Sequence, residues 1–168
     1  ARTGELGNAH EEKQLQRYRD EFGDQVVELG RPDYGSGTPL EQQMIELTEL
    51  TKSALEAKKP VVFQGTFFDG QFQGFADFLV LQSDGTYAVY DTKLARRAKI
   101  TALVQIAAYA DQLKKMGIPV SKQAHLILGD NSISSHNLED ITPLYLKKRQ
   151  DMIDLIARRT ENKKNGGS

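Results

Sequence analysis

Gly74-Phe75-Ala76-Asp77-Phe78-Leu79-Val80-Leu81-Gln82-Ser83-Asp84-Gly85-Thr86-Tyr87-Ala88-Val89-Tyr90-Asp91-Thr92-Lys93 is the stretch that decides the fold. Two runs rich in β-branched and aromatic residues flank Ser83-Asp84-Gly85, a three-residue hairpin loop with glycine at the left-handed position. With that loop, Gln82 faces Thr86, and counting back along both strands brings Asp77 opposite Asp91. Strand side chains alternate between faces, so Asp91 and Lys93 point one way and Thr92 the other. Two carboxylates and an ammonium group are therefore expected on one face of one hairpin. Directly opposed Cβ atoms lie about 4.5–5.5 Å apart. Like charges at that spacing repel unless something offsets them, and a hard divalent cation, Mg²⁺ or Mn²⁺, does so. The apolar neighbours of both acids raise the cost of leaving them unpaired.

Upstream, residues 8–22 read as a helix, with Asn8 as its cap, Glu11 and Glu12 in the first turn and Gly23 as the stop. Residues 26–29 read as a short strand and 31–37 as a Pro/Gly/Ser loop. Thr38-Pro39-Leu40-Glu41 predicts a helix start: Thr38 caps, Pro39 takes the first helical position and Glu41 closes a capping box. Met44, Leu47, Leu50 and Leu55 then form an apolar stripe to about Lys58. Residues 61–68 form a strand that enters the hairpin region through an Asp69-Gly70 turn. Downstream, 99–116 are helical and 124–128 form another strand. Residues 138–140 begin an edge strand or loop, and Thr142-Pro143 caps a final helix to about Arg159. Together these elements predict an α/β domain with a mixed sheet flanked by helices. It spans 1–161, with 162–168 as a flexible tail. The start at Ala1 and the open tail suggest an excerpt of a larger protein.

The chain has 168 residues, 22 basic and 23 acidic, with 39% hydrophobic content and no cysteine. That excludes disulfides, thiol nucleophiles and an iron–sulfur cluster held within this chain. No apolar run approaches the roughly 18 residues of a membrane span. With no secretion leader either, a cytoplasmic protein without a membrane partner is expected. A net charge of −1 excludes a histone-like polycation but not a local basic patch.

Gly74-Phe75-Ala76-Asp77, the hairpin, and Asp91-Thr92-Lys93 resemble the core of the PD-(D/E)XK nuclease superfamily. The version is close to the RecB-type exonuclease domain and its Cas4-like relatives. Two more stretches make the likeness specific. Leu6-Gly7-Asn8-Ala9-His10-Glu11 is similar to that subset's upstream metal-binding histidine motif, and Gln105-Ile106-Ala107-Ala108-Tyr109 matches its Gln-x-x-x-Tyr motif. The resemblance implies a restriction-endonuclease-like core. It also implies a metal held by His10, Asp77, Asp91 and the Thr92 main-chain carbonyl, with Lys93 assisting the attacking water. Gln105 and Tyr109 would complete the catalytic group. Asp91 stands where many superfamily members have glutamate; the RecB type has aspartate there, which narrows the likeness. The absence of cysteine separates the chain from Cas4-like members that hold an iron–sulfur cluster.

The implied activity is a Mg²⁺- or Mn²⁺-dependent deoxyribonuclease that acts in DNA repair or processing. Its expected substrate is single-stranded DNA, and its expected partners are helicase or other domains of a longer polypeptide. Arg96, Arg97 and Lys99 cluster just after the catalytic strand and are expected to meet DNA phosphates. Gln112 continues the polar stripe of Gln105 and Tyr109 and is likewise expected to contact DNA. Glu41 and Glu46 are weaker candidates for an acidic motif. Glu11 reads equally as a partner of His10 or Lys93 and as a helix-dipole residue. A catalytically silent nucleic-acid-binding or interaction module with the same fold is the alternative.

Overall fold

The Ser83-Asp84-Gly85 loop closes as its residues require. In a computed structural model that describes residues 2–93 and 99–164, Gly85 adopts φ +85°. The Gln82 N–H donates to the Thr86 carbonyl at 2.8 Å, and the Gly85 N–H to the Gln82 carbonyl at 3.0 Å. The Asp84 carboxylate accepts from both the N–H and the hydroxyl of Thr86. These bonds set the register of β3 (Gln73–Leu81) on β4 (Tyr87–Lys93), which pair antiparallel from Leu81↔Tyr87 to Phe78↔Tyr90.

Around this hairpin the chain builds a six-stranded mixed sheet in sequential order. β1 (Val26–Glu28) lies parallel to β2 (Val61–Phe68), and β2 lies antiparallel to β3. Beyond β4, β5 (Gln123–Leu128) runs parallel to it, and β6 (Ile133–Asn137) closes the far edge antiparallel to β5. Four helices flank the sheet: α1 (Arg2–Phe22), α2 (Leu40–Glu56), α3 (Lys99–Lys115) and α4 (Leu138–Lys164). The protein is α/β, as the sequence predicts.

Each face of the sheet has its own core. α1 inserts Leu15 and Tyr18 among Val26, Val61 and Phe78, and Tyr18 meets the Phe78 ring with centroids 5.0 Å apart. Burying such large side chains contributes about 1.5–3 kcal/mol each. The larger core joins α2, α3 and α4 to the sheet through Leu55, Phe67, Leu79, Tyr87, Ile106, Leu113, Leu126 and Ile141. Arg19 pairs with Glu12 on its own helix and with Glu28 on β1, which ties α1 to the sheet edge.

Several predicted boundaries are corrected. α1 begins at Arg2, so Asn8 lies inside the helix and does not cap it. Thr38 does not cap α2. Pro39 takes the N-cap position without a side-chain bond, and Gln43 reaches back instead to the Thr38 carbonyl at 2.9 Å and the Asp33 carbonyl at 3.0 Å. A long amide closes the loop that a hydroxyl was expected to close. The last helix begins at Leu138, not at Thr142, so Pro143 lies inside it and the Thr142 hydroxyl bonds the Leu138 carbonyl. The edge strand lies earlier, at 133–137, where alternating half-burial suits an edge. α4 also runs to Lys164, into the predicted tail. Among the described residues, no helix is long and apolar enough to cross a membrane.

Candidate functional site

The site forms where the β3–β4 ladder ends. One step beyond Phe78↔Tyr90, the same register sets Asp77 against Asp91. At this step the Asp77 carboxylate takes the place of a strand carbonyl. Its Oδ2 accepts from the Thr92 N–H at 2.9 Å and from the Thr92 hydroxyl at 2.8 Å. From there β3 continues with β2 as far as Phe68↔Gln73, while β4 continues with β5 as far as Lys93↔Leu128. The sheet forks, and both acids sit in the fork.

Asp91 is 5% exposed, and Lys93 Nζ lies 3.1 Å from its Oδ2. That is an ion-pair distance, yet Oδ2 receives no aligned hydrogen bond. Burial is the largest influence on the Asp91 carboxyl, followed by the Asp77 charge and a hydrogen bond to Asp77; Lys93 works the other way. The balance pushes the Asp91 pKa up to about 8. A carboxyl that resists ionisation beside a second acid lacks positive charge. Two opposed carboxylates with a buried, unsatisfied oxygen fit a hard divalent cation.

Glu11 joins this group from α1. Burial raises its pKa most, and the nearby Asp77 charge raises it further; Gln64, Arg31 and Lys93 offset part of this. Gln64 Nε2 donates to Glu11 Oε1 at 2.8 Å. Gln64 stands across β2 from Asp77, between the pairs Phe63↔Phe78 and Gly65↔Ala76, with φ at +56°. A non-glycine residue held there costs about 1–3 kcal/mol. Sequence reasoning missed Gln64 and Arg31. A glutamine in a β-rich run carries no sign of a left-handed backbone, and Arg31 is one residue of a loop 33 positions away.

His10 is buried, with Nε2 3.1 Å from the Ile127 carbonyl. Ile127 pairs with Thr92, so His10 docks one strand beyond the fork. Among the described residues, no three His, Cys, Asp or Glu side chains form a ligand set. Tyr109 is 7% exposed and stacks on Phe67 with centroids 5.6 Å apart. Burial first, then the Asp91 and Asp77 charges, push its pKa up to about 12, so its hydroxyl keeps its proton near the fork. Gln105 is exposed on the same helix. Gln112, expected to contact DNA, is instead buried and donates to Asp69 Oδ2 at 3.2 Å, which braces the β2–β3 turn against α3. Glu41 and Glu46 lie exposed on α2. Arg96 and Arg97 lie outside the described residues, as does the side chain of Lys99.

Compared with known proteins, the chain matches no family model and no curated protein. The chemistry is therefore read from the fork itself.

Gly74 sets how closely α3 approaches it. A Cβ there would lie 2.7 Å from Tyr109 Cε1, closer than packed carbons allow. Gly74→Ala must displace the ring and is expected to cost about 1–3 kcal/mol. Gly30→Ala would meet nothing within 4 Å and is the control. Urea denaturation of both variants checks this: equal midpoints would show that Tyr109 yields without cost.

Proposed function

We propose that this chain is a metal-dependent nuclease with a restriction-endonuclease-like core of the RecB type, which hydrolyses phosphodiester bonds in DNA. The observation that carries this reading is the pair of buried Asp91 and half-buried Asp77 with Lys93 Nζ 3.1 Å from Asp91 Oδ2. Two acids set against each other in a fork of the sheet serve no packing purpose: they repel when both are ionised, and burial makes that ionisation costly for Asp91. Asp77, Asp91 and the Thr92 carbonyl would hold Mg²⁺ or Mn²⁺, and His10 would join them by leaving the Ile127 carbonyl. When bound, the cation supplies Lewis-acid polarisation of a phosphate oxygen and a water of lowered pKa.

The chain's own residues do the rest. Thr92 holds the Asp77 carboxylate in one orientation through two hydrogen bonds. Lys93 presents an ammonium group beside the acids, where it stabilises charge that grows on the phosphate oxygens. Glu11 adds a half-buried carboxyl whose raised pKa suits it to hold or accept a proton. Tyr109, still protonated, pins the Gly74–Phe75 backbone beside Asp77. Single-stranded DNA, a role in repair or processing, a cytoplasmic site of action and helicase partners follow from the family resemblance alone.

The test is cleavage of end-labelled single- and double-stranded DNA with Mn²⁺, Mg²⁺ or EDTA. Metal-dependent cleavage is expected, with single strands preferred. DNA binding with no cleavage under any metal would favour the silent-module reading instead.

A further inference from the structure

Arg31 lies in the link between β1 and α2 and is exposed, yet two contacts hold it. Its guanidinium carbon sits 4.4 Å from the centroid of the Phe75 ring. Its Nε donates to Gln64 Oε1 at 3.1 Å. Among the described residues, neither η nitrogen donates to a protein acceptor. The face of the guanidinium is therefore stacked and one edge is anchored, while the edge bearing both η nitrogens stays open.

The anchor leads back to the fork. Gln64 is the residue opposite Asp77, and its left-handed backbone sets it apart from the rest of β2. Its amide accepts from Arg31 and donates to Glu11, so one side chain couples the arginine to the acidic group. Arg31 is also near enough to favour ionisation of both Glu11 and Tyr109. Phe75, the platform under Arg31, is two residues from Asp77. A surface arginine without a task would gain little from such immobilisation, because its rotamer freedom is lost.

We propose that Arg31 is a phosphate-positioning residue, held by Phe75 and Gln64 so that its free edge grips a backbone phosphate of the strand entering the Asp77–Asp91 fork. The open pair of η nitrogens matches two phosphate oxygens, which a lysine cannot reproduce. Gln64 sets the distance between that phosphate and the acids. The assignment rests on the nucleic-acid reading above, and it adds a recognition element that the basic cluster after β4 does not include.

The experiment is fluorescence anisotropy of the full chain with a labelled oligothymidylate in EDTA, titrated with salt. Arg31→Ala is expected to weaken binding by about 3–10-fold near 0.1 M salt. It should also reduce the slope of log K against log salt by about 0.7, the value for one phosphate contact on a single strand. Arg31→Lys should keep the slope but not the full affinity. Gln64→Gly, which tolerates the left-handed backbone, should weaken binding less, and its effect should not add to that of Arg31→Ala. Arg149→Ala on α4 should change neither quantity. Unchanged affinity and slope for Arg31→Ala would overturn the assignment, as would a wild type that does not bind. Binding without cleavage would remove the nuclease reading and leave Arg31 in place. Cleavage with an unaltered Arg31→Ala slope would do the reverse.

Discussion

Asp91→Asn is expected to abolish cleavage and to stabilise the metal-free protein at pH 8. Both effects arise from one carboxyl. Asp91 is buried beside Asp77, and its pKa rises from 3.8 to about 8 in the folded chain. A carboxyl with a raised pKa supports folding fully below its unfolded value, and that support is lost as pH climbs through the folded value. Asp91 therefore costs the metal-free protein stability between about pH 4 and pH 8. The amide has the same shape and no charge, so the variant escapes that loss. A gain of about 1–3 kcal/mol at pH 8 is expected, which is several degrees in Tm. Little difference is expected at pH 4. Cleavage should fall by about 10³-fold or more, because an amide oxygen is a poor substitute for an anionic ligand to a hard cation. Thermal melts in EDTA at pH 4 and pH 8, run beside the DNA assay, check both parts. An Asn variant less stable than wild type at pH 8 would show that the Asp91 charge is already compensated within the fold.

The same linkage predicts that metal binding expels a proton. At pH 7, below the raised Asp91 pKa, the cation must displace the proton that the carboxyl retains. Apparent affinity for Mn²⁺ should therefore rise from pH 6 to about pH 8 and level off above it. Calorimetry in buffers of different ionisation enthalpy measures the protons released. No release at pH 7 would place Asp91 already ionised.

Lys93→Met carries the second large effect. The ammonium group lies 3.1 Å from Asp91 Oδ2 and is mostly shielded from solvent. Its removal should lower kcat by about 10²–10³-fold, the cost of deleting one preorganised charge donor at a reacting centre. Binding of Mn²⁺ should survive, since Lys93 competes with a cation for Asp91 and donates no ligand. Stability should fall modestly, because the protonated Asp91 remains tolerable without its partner. Single-turnover cleavage together with a metal titration separates these outcomes. Equal losses in metal affinity and in rate would make Lys93 a prop for the carboxylates instead of a participant.

Local rules account for the parts of the site that lie on one hairpin. Ser83-Asp84-Gly85 allows one tight closure, and a closure of known length leaves one register. From there the alternation of strand side chains carries Asp77 to Asp91 and sets Lys93 on the same face. Strands β1 to β5 and the helices α2 and α3 follow from apolar spacing in the same way, to within a residue or two, whereas α1 starts six residues before the predicted Asn8 and α4 overruns its predicted bounds at both ends. Where local signals misled, a tertiary contact had replaced them. Gln43 closes the loop that Thr38 was expected to cap, and α4 starts four residues early, ahead of Thr142. Gln112 reads as part of a polar stripe with Tyr109, but packing turns it onto Asp69.

What the residues alone established is the acidic pair, its lysine and the α/β frame that presents them, because neighbours in one hairpin are governed by short-range geometry. Only the tertiary structure decided that the sheet forks at Asp77, that His10 rests on the Ile127 carbonyl, and that Arg31, Gln64 and Glu11 meet at the same place. Those contacts join segments up to 117 residues apart. Their partners are chosen by how the helices pack on the sheet, and no local pattern carries that choice.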